Sequence, residues 1–121
     1  MSQKILVVDD SGYSRMLVKN VLKKAGHEVI GEAKDGAEAL DKIESLKPEI
    51  ITLDNILPDM TGIDILRVMK ENDLKAKVIM ISAVGQLSAI EDATELGVFQ
   101  YIIKPFDEED LLEALKQLEN G

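Results

Sequence analysis

The chain has 121 residues, of which 45% are apolar and none is cysteine, and its 23 acidic residues exceed 14 basic ones for a formal net charge of −9. This length predicts a single domain, residues 1–121, the lack of cysteine excludes disulfides and thiolate chemistry, and the acid excess argues against direct nucleic-acid binding through a basic face. No apolar run approaches the roughly 18 residues of a membrane span and the N-terminus lacks the pattern of a signal peptide, so we expect no membrane insertion and a cytoplasmic location.

Short apolar runs alternate along the chain with longer amphipathic segments. The runs are predicted strands, and some are almost continuous in Val, Ile, Leu and Met, which is typical of strands covered on both faces. They comprise Lys4–Val8, Glu28–Ala33, Glu49–Leu53, Lys77–Ser82 and Phe99–Lys104.

Each predicted strand is followed by a segment with helical periodicity. The first segment ends at Ala25–Gly26, where the glycine suits a C-cap, and the second begins at Asp35, with Glu38 placed for an Asp variant of the capping box. The apolar stripes of the last three are Ile63, Leu66 and Met69; Leu87, Ile90 and Leu96, closed by Gly97; and Leu111, Leu112, Leu115 and Leu118, after Asp107. This alternation predicts an α/β fold, a doubly wound five-stranded parallel sheet with five helices on both faces.

Reactive side chains stand at four of the five predicted strand ends, which is where chemistry gathers in such sheets. These side chains are Asp9 and Asp10, Asp54, Ser82 and Lys104. Taken alone, each has a simpler reading: the acids or Ser82 can cap a helix, Asp54 can start a turn, and Lys104 can be an ordinary surface charge. The predicted fold brings them to one edge, where three carboxylates repel one another unless a cation lies between them.

A magnesium ion would relieve this repulsion, because Mg²⁺ prefers oxygen ligands and keeps coordination positions for water and phosphate oxygens. With a lysine and a hydroxyl nearby, the edge suits phosphoryl transfer: the metal and Lys104 neutralise the phosphoryl oxygens, and Ser82 donates a hydrogen bond. Asp54 is the predicted nucleophile, held in line by the end of a rigid strand, as carboxylates are in enzymes that form aspartyl phosphates.

The motifs KILVVDD, ITLDNILPDMTG, VIMISA and YIIKPF together resemble the receiver domain of two-component response regulators. The resemblance covers the whole chain, as in the CheY-like, single-domain members. It implies a flavodoxin-like sheet of order 2-1-3-4-5 and a stand-alone response regulator of a phosphorelay. Asp54 would then accept a phosphoryl group from the phosphohistidine of a sensor histidine kinase. Such a domain catalyses only its own phosphorylation and dephosphorylation, so we expect no enzyme activity on other substrates.

The same resemblance implies roles for the remaining site residues. The expected Mg²⁺ ligands are Asp10, Asp54 and the backbone carbonyl of Ile56, with Asp9 acting mostly through water. The expected phosphoryl contacts, besides Ser82 and Lys104, are the backbone N–H groups of Asn55, Ile56 and Ala83. The Lys104–Pro105 bond is expected to be cis, as is usual in the family.

Phosphorylation is expected to act as a switch. Ser82 would move toward the phosphoryl group and Tyr101 would turn into the vacated space, which biases a pre-existing equilibrium toward the active arrangement. The fourth helix, fifth strand and fifth helix would then form the face on which a downstream target docks, either in a chemotaxis-like pathway or as a relay intermediate.

Other functions compete with this interpretation. A Mg²⁺-dependent phosphatase of the haloacid dehalogenase type needs a second acid two residues after its nucleophile, where this chain has Ile56. Nucleotide binding is disfavoured because the chain has neither GxGxxG nor a GxxxxGKS phosphate loop, and a flavin module more often has Ser/Thr-rich loops. A phosphate-independent, receiver-like interaction module remains the main alternative.

Three further residues carry predictions of their own. Ile56 and Val84 lie two residues after Asp54 and Ser82, and in the family these side chains flank the path of the attacking water. Two apolar side chains there predict a long-lived phosphoryl group. The single histidine, His27, follows Gly26 at a predicted turn and is expected to be exposed and without a partner.

Overall fold

The computed structural model describes residues 2–120, which form five strands and five helices in strict alternation. The strands are β1 (Lys4–Val8), β2 (Glu28–Ala33), β3 (Ile50–Leu53), β4 (Lys77–Ser82) and β5 (Gln100–Ile103). The helices are α1 (Gly12–Lys24), α2 (Gly36–Leu46), α3 (Gly62–Glu71), α4 (Leu87–Glu95) and α5 (Glu108–Asn120). None of the helices described is long and apolar enough to span a membrane.

The strands form one parallel sheet in the order β2-β1-β3-β4-β5, which confirms the predicted fold class and strand order. The order reverses at β1, so the chain builds outward first to one edge and then to the other. The carboxyl ends of β1 and β3 are therefore neighbours at this switch point, where open α/β sheets place their functional sites.

Two apolar clusters cover the two faces of the sheet, which explains why the strand sequences are nearly continuous in apolar residues. On one face, alternate strand residues such as Leu6, Leu53 and Met80 pack against α2, α3 and α4. On the other face, the intervening residues such as Val7 and Ile81 pack against α1 and α5. Both faces of the sheet are therefore buried. The polar side chains at the strand ends project from this rigid, packed sheet.

Helix ends follow the local signals at most positions. Helix α1 ends at its C-cap Ala25, and Gly26 follows with a φ of 85°, a conformation that glycine adopts without strain. Asp35 caps α2 by accepting a hydrogen bond from the Glu38 amide at 2.8 Å, but the Glu38 carboxylate lies 3.4 Å from Lys42 and does not complete the predicted capping box. The complete capping box is at α3, between Thr61 and Asp64.

Two predictions about side-chain burial are wrong. Leu87, assigned to the inward stripe of the fourth helix, is 70% exposed, and the buried residue of α4 is Ala93. His27 is buried rather than exposed, and its Nδ1 accepts a hydrogen bond from the Gln3 amide at 3.1 Å while its Nε2 lies 3.6 Å from a Glu119 carboxylate oxygen. The partners of His27 lie at distant positions of the chain, so the turn sequence around it carried no sign of them.

Candidate functional site at the carboxyl edge of the sheet

Backbone hydrogen bonds continue past the strand ends and align the predicted site residues along one edge. The Asp9 amide donates to the Ala33 carbonyl and the Asp54 amide to the Val8 carbonyl, both at 3.0 Å. The Lys104 amide donates to the carbonyl of Ser82 at 2.9 Å. The sheet therefore fixes the backbone from which the reactive side chains of Asp9, Asp54, Ser82 and Lys104 project.

The Lys104 ammonium lies between two buried carboxylates. Its Nζ is 2.6 Å from Asp9 Oδ2 and 3.1 Å from Asp54 Oδ2, and Asp9 and Asp54 are almost inaccessible to solvent. Burial by itself would lower the pKa of Lys104, but the hydrogen bonds to Asp9 and Asp54 outweigh it, so this pKa lies above its usual value. Lys104 is therefore positively charged at neutral pH and partly neutralises the two acids.

Asp10 completes a cluster of three acids with Asp9 and Asp54. One carboxylate oxygen from each lies within 4.8 Å of the other two, and the Asp10 side chain is exposed to solvent. Lys104 alone leaves this cluster with a net negative charge. Ligand oxygens on opposite sides of Mg²⁺ are about 4.2 Å apart, so small side-chain rotations would let these oxygens share one ion, which fits a hard cation that takes few protein ligands.

The β3–α3 loop, Asp54–Thr61, holds the second oxygen of Asp54. The Ile56 amide donates to Asp54 Oδ1 at 3.1 Å, so the aspartate does start a turn, in addition to facing Lys104. The buried Asn55 side chain accepts a hydrogen bond from the Ile63 amide at 3.1 Å, which ties the loop to the start of α3. Gly62 allows the close approach, because a Cβ there would lie 2.6 Å from the Asp54 carbonyl oxygen.

Asp59 anchors the other side of this loop, a contact that the sequence did not reveal. Its two carboxylate oxygens accept hydrogen bonds from the Gly36 and Ala37 amides, at 2.7 and 2.9 Å, at the N-terminus of α2. These backbone hydrogen bonds hold the pKa of Asp59 below its usual value. Because Asp59 and α2 are far apart in sequence, only the fold could bring them together.

Ser82 and Tyr101 lie together beside the loop that follows β4. Ser82 is completely buried, and its Oγ accepts a hydrogen bond from the Val84 amide at 3.2 Å. The Tyr101 hydroxyl donates to the Val84 carbonyl, so the aromatic ring is turned inward and tied to the same loop. Burial raises the pKa of Tyr101, a hydrogen bond with Ser82 opposes this rise, and the charge of Asp54 adds to it.

The structure also shows whether the site residues serve as helix caps. Helix α1 is capped by Ser11, whose hydroxyl accepts from the Ser14 amide, while Asp9 accepts from the Ser11 amide at 2.9 Å. Helix α4 has no side-chain cap, so Ser82 does not serve there. The Lys104–Pro105 bond is cis, as expected.

Sequence reasoning missed Arg15, which donates to the Asp9 carbonyl at 2.7 Å and so supports the same edge from α1.

Comparison with known proteins finds relatives that match nearly the whole chain. Residues 5–116 match the family model described as the response regulator receiver domain. The chemotaxis protein CheY of Thermotoga maritima is 41% identical over 118 residues, with 98% of each chain covered. The sporulation initiation phosphotransferase F of Bacillus subtilis is 38% identical, covering 97% of this chain and 94% of its own.

A solved structure of the Borrelia burgdorferi CheX–CheY–BeF3–Mg²⁺ complex contains a chain of similar fold. It has a TM-score of 0.91 and 33% identity, covering 96% of this chain and 88% of the other. The family match, the nearly full-length similarity to relatives and the fold agree. The chain therefore belongs to the response regulator receiver domain family.

Proposed function

We propose that this protein is a stand-alone response regulator that accepts a phosphoryl group on Asp54. The observation that carries the proposal is the environment of that carboxylate, which is buried at a strand end, faces Lys104 and the Ile56 amide, and is flanked by Asp9 and Asp10. A carboxylate merely serving structure needs no cluster of like charges beside it, since such a cluster costs stability.

The proposed reaction transfers a phosphoryl group from the phosphohistidine of a sensor kinase. An oxygen of Asp54 attacks phosphorus, the bond from phosphorus to the histidine nitrogen breaks, and the nitrogen keeps the electron pair. Lys104 then shifts from Asp54 toward the phosphoryl oxygens and remains in contact with Asp9. Ser82 and the backbone N–H groups of Asn55, Ile56 and Ala83 donate to those oxygens, and these groups occupy the loops around the edge.

Asp9, Asp10, Asp54 and the Ile56 carbonyl are the proposed holders of Mg²⁺. When bound, the ion would neutralise negative charge on the phosphoryl oxygens during transfer. Removal of the ion would leave the three carboxylates opposing an incoming phosphate, so the reaction is expected to depend on it.

The proposed output is a change at the face formed by α4, β5 and α5. Tyr101 and Ser82 share the β4–α4 loop through Val84, so a displacement of Ser82 toward a phosphoryl group would alter the tether of Tyr101 on that face. The protein would act in the cytoplasm by docking on a protein target, without enzyme activity on other substrates and without direct nucleic-acid contact. Similarity to CheY supports a chemotaxis-like pathway, and similarity to the phosphotransferase supports a relay.

Incubation with Mg²⁺ and acetyl phosphate, followed by mass spectrometry of the intact protein, tests the proposal. The wild type is expected to gain the mass of one phosphoryl group, and Asp54→Asn is expected to gain none. A metal chelator is expected to abolish the gain. A wild type that stays unmodified in Mg²⁺ would favour the phosphate-independent interaction module instead. An Asp54→Asn variant modified to the same extent as the wild type would mean that Asp54 is not the acceptor.

A further inference from the structure

The two helices of the proposed output face are strongly acidic. Helix α4 contains Glu91, Asp92 and Glu95 and no basic residue. Helix α5 is acidic through its first two turns, and its only basic residue is Lys116. Within residues 2–120, none of the three α4 acids forms an ion pair, so their charges are free to attract a partner.

A groove in the same face runs along β5. It has a volume of about 370 Å³ and is lined by Gln100–Ile103 on one side and by α5 residues, including Asp110 and Glu113, on the other. Ile103 is 47% exposed and Leu87, at the start of α4, is 70% exposed. The face therefore combines exposed apolar side chains with an acidic border, a composition typical of docking surfaces with a polar rim.

Helix α1, which packs beside α5 on the same side of the sheet, has the reverse charge. It contains Arg15, Lys19, Lys23 and Lys24 and no acid. Some of these bases are compensated, because Arg15 and Lys19 pair with Glu32 and Lys24 pairs with Glu108. A basic partner is thus attracted to the acids of α4 and α5 and repelled by the bases of α1, which favours docking on the α4–β5–α5 face over docking on α1.

We propose that the α4–β5–α5 face binds a protein segment that presents an apolar side chain flanked by lysines or arginines. The apolar side chain enters the groove beside Ile103, and the bases face Glu113 on α5 and Glu91 on α4. This inference deepens the proposed output function and rests on it. A second copy of this chain is a poor occupant, because a two-fold contact through this face would place its acids against the same acids.

Two synthetic amphipathic peptides test the charge preference. Both carry leucines at helical spacing, with lysine at all polar positions in one and glutamate in the other. Titrations of the full-length ¹⁵N-labelled protein, unmodified and in Mg²⁺ with acetyl phosphate, would give affinities and locate the contact. We expect the lysine peptide to bind and to shift amide signals of β5, α4 and α5 in at least one state, with little binding of the glutamate peptide.

Matched variants test the location. Glu91→Gln and Glu113→Gln are each expected to weaken binding of the lysine peptide roughly two- to fivefold, the size of an exposed charge pair. Ile103→Ser should weaken it further through the apolar contact. The double variant Asp41→Asn, Glu44→Gln removes two exposed acids from α2 and should leave the affinity unchanged.

Equal binding of the two peptides, or shifts confined to α2 or to the acid cluster at the strand ends, would overturn the inference. So would an unchanged affinity in Glu91→Gln and Glu113→Gln. Mass spectrometry of the same samples separates this failure from that of the proposed function. A protein that is phosphorylated on Asp54 but lacks the charge preference keeps its receiver function and loses only the inferred partner chemistry.

Discussion

At the level of single residues, Asp54 has one oxygen facing Lys104 and the other facing the Ile56 amide. Each contact can be given up when a phosphoryl group arrives, because the ammonium and the amide can donate to phosphoryl oxygens instead. The side chains around the path of the attacking water then set how long the acyl phosphate lasts. Ile56 is 55% exposed beside Asp54, and we propose that it is one of the side chains that set this lifetime.

Replacement of Ile56 by Asn is expected to speed loss of the phosphoryl group. A polar side chain can orient the attacking water by a hydrogen bond, whereas an isoleucine only obstructs it, and a gain of about 1 kcal/mol corresponds to roughly fivefold in rate. Timed mass spectrometry after removal of the phosphodonor gives the rate. Leu46→Asn, a similar change at an exposed position on α2, is the control, and an unchanged rate in Ile56→Asn contradicts the hypothesis.

At the level of elements, two acids hold neighbouring segments of the fold together. Glu32 on β2 accepts hydrogen bonds from Arg15 and Lys19 of α1, at 3.0 and 2.9 Å. Asp59 ties the β3–α3 loop to α2. The first contact bears on stability, and the second bears on the geometry of the candidate metal site.

The Glu32 contact predicts a pH dependence of stability. The hydrogen bond from Lys19 lowers the pKa of Glu32, burial opposes it, and Arg15 adds to the lowering. Because the pKa of Glu32 is lower in the folded state, its ionised form stabilises the fold at pH values above the unfolded-state pKa of about 4.3. This contribution disappears as the pH falls through the folded-state pKa of Glu32.

Chemical denaturation of Glu32→Gln checks this prediction. At pH 7 the variant is expected to lose less than about 1 kcal/mol relative to the wild type, because the pair is partly exposed, and the difference should vanish in acid. Glu44→Gln, at an exposed position on α2, is the control and should match the wild type at neutral pH. A difference that persists unchanged below the folded-state pKa would mean that the ion pair is not its source.

The Asp59 anchor predicts an effect on metal binding from outside the acid cluster. Asp59→Ala would free the loop that carries Ile56, and we expect Mg²⁺ affinity to fall about tenfold, as when outer-sphere supports of a metal are removed. Calorimetric titration with Mg²⁺ measures this. Asp35→Ala removes the cap of the same helix without touching the loop, so it should cost about 1 kcal/mol of stability and leave the affinity unchanged. Equal affinities in all three proteins would rule out the anchor.

At the level of the whole molecule, His27 connects the two ends of the chain. It lies in the turn between α1 and β2, accepts from the Gln3 amide, and faces Glu119 near the end of α5. The Nδ1 atom of His27 is thus the acceptor that ties Gln3 to this turn. The N-terminal segment and α5 are thereby held to the same turn.

His27→Ala is expected to lower the free energy of unfolding by about 1 to 3 kcal/mol, because the Gln3 amide loses its acceptor and a buried ring is removed. Urea denaturation at neutral pH measures this. Lys24→Ala is the control. It breaks the exposed ion pair with Glu108 of α5 and should lower the free energy of unfolding by no more than about 1 kcal/mol. A His27→Ala variant as stable as the wild type would mean that the packing around the ring relaxes at no cost.

The sequence alone determined the alternation of strands and helices, the fold class and which polar side chains stand at the strand ends. Apolar runs and helical periodicity are local consequences of burial on two faces, and the strand ends follow directly from them, so Asp9, Asp54, Ser82 and Lys104 could be assigned to one edge. The exposed Leu87 and the buried His27 were assigned wrongly, because burial depends on what packs against a residue and not on its neighbours in the chain.

Only the tertiary structure decided which groups touch. The Lys104 ammonium between two carboxylates, the Asp59 anchor on α2 and the inward Tyr101 join positions that are far apart along the chain. Local propensity does not encode such contacts, since they depend on the relative placement of whole elements, which the packing of both sheet faces sets.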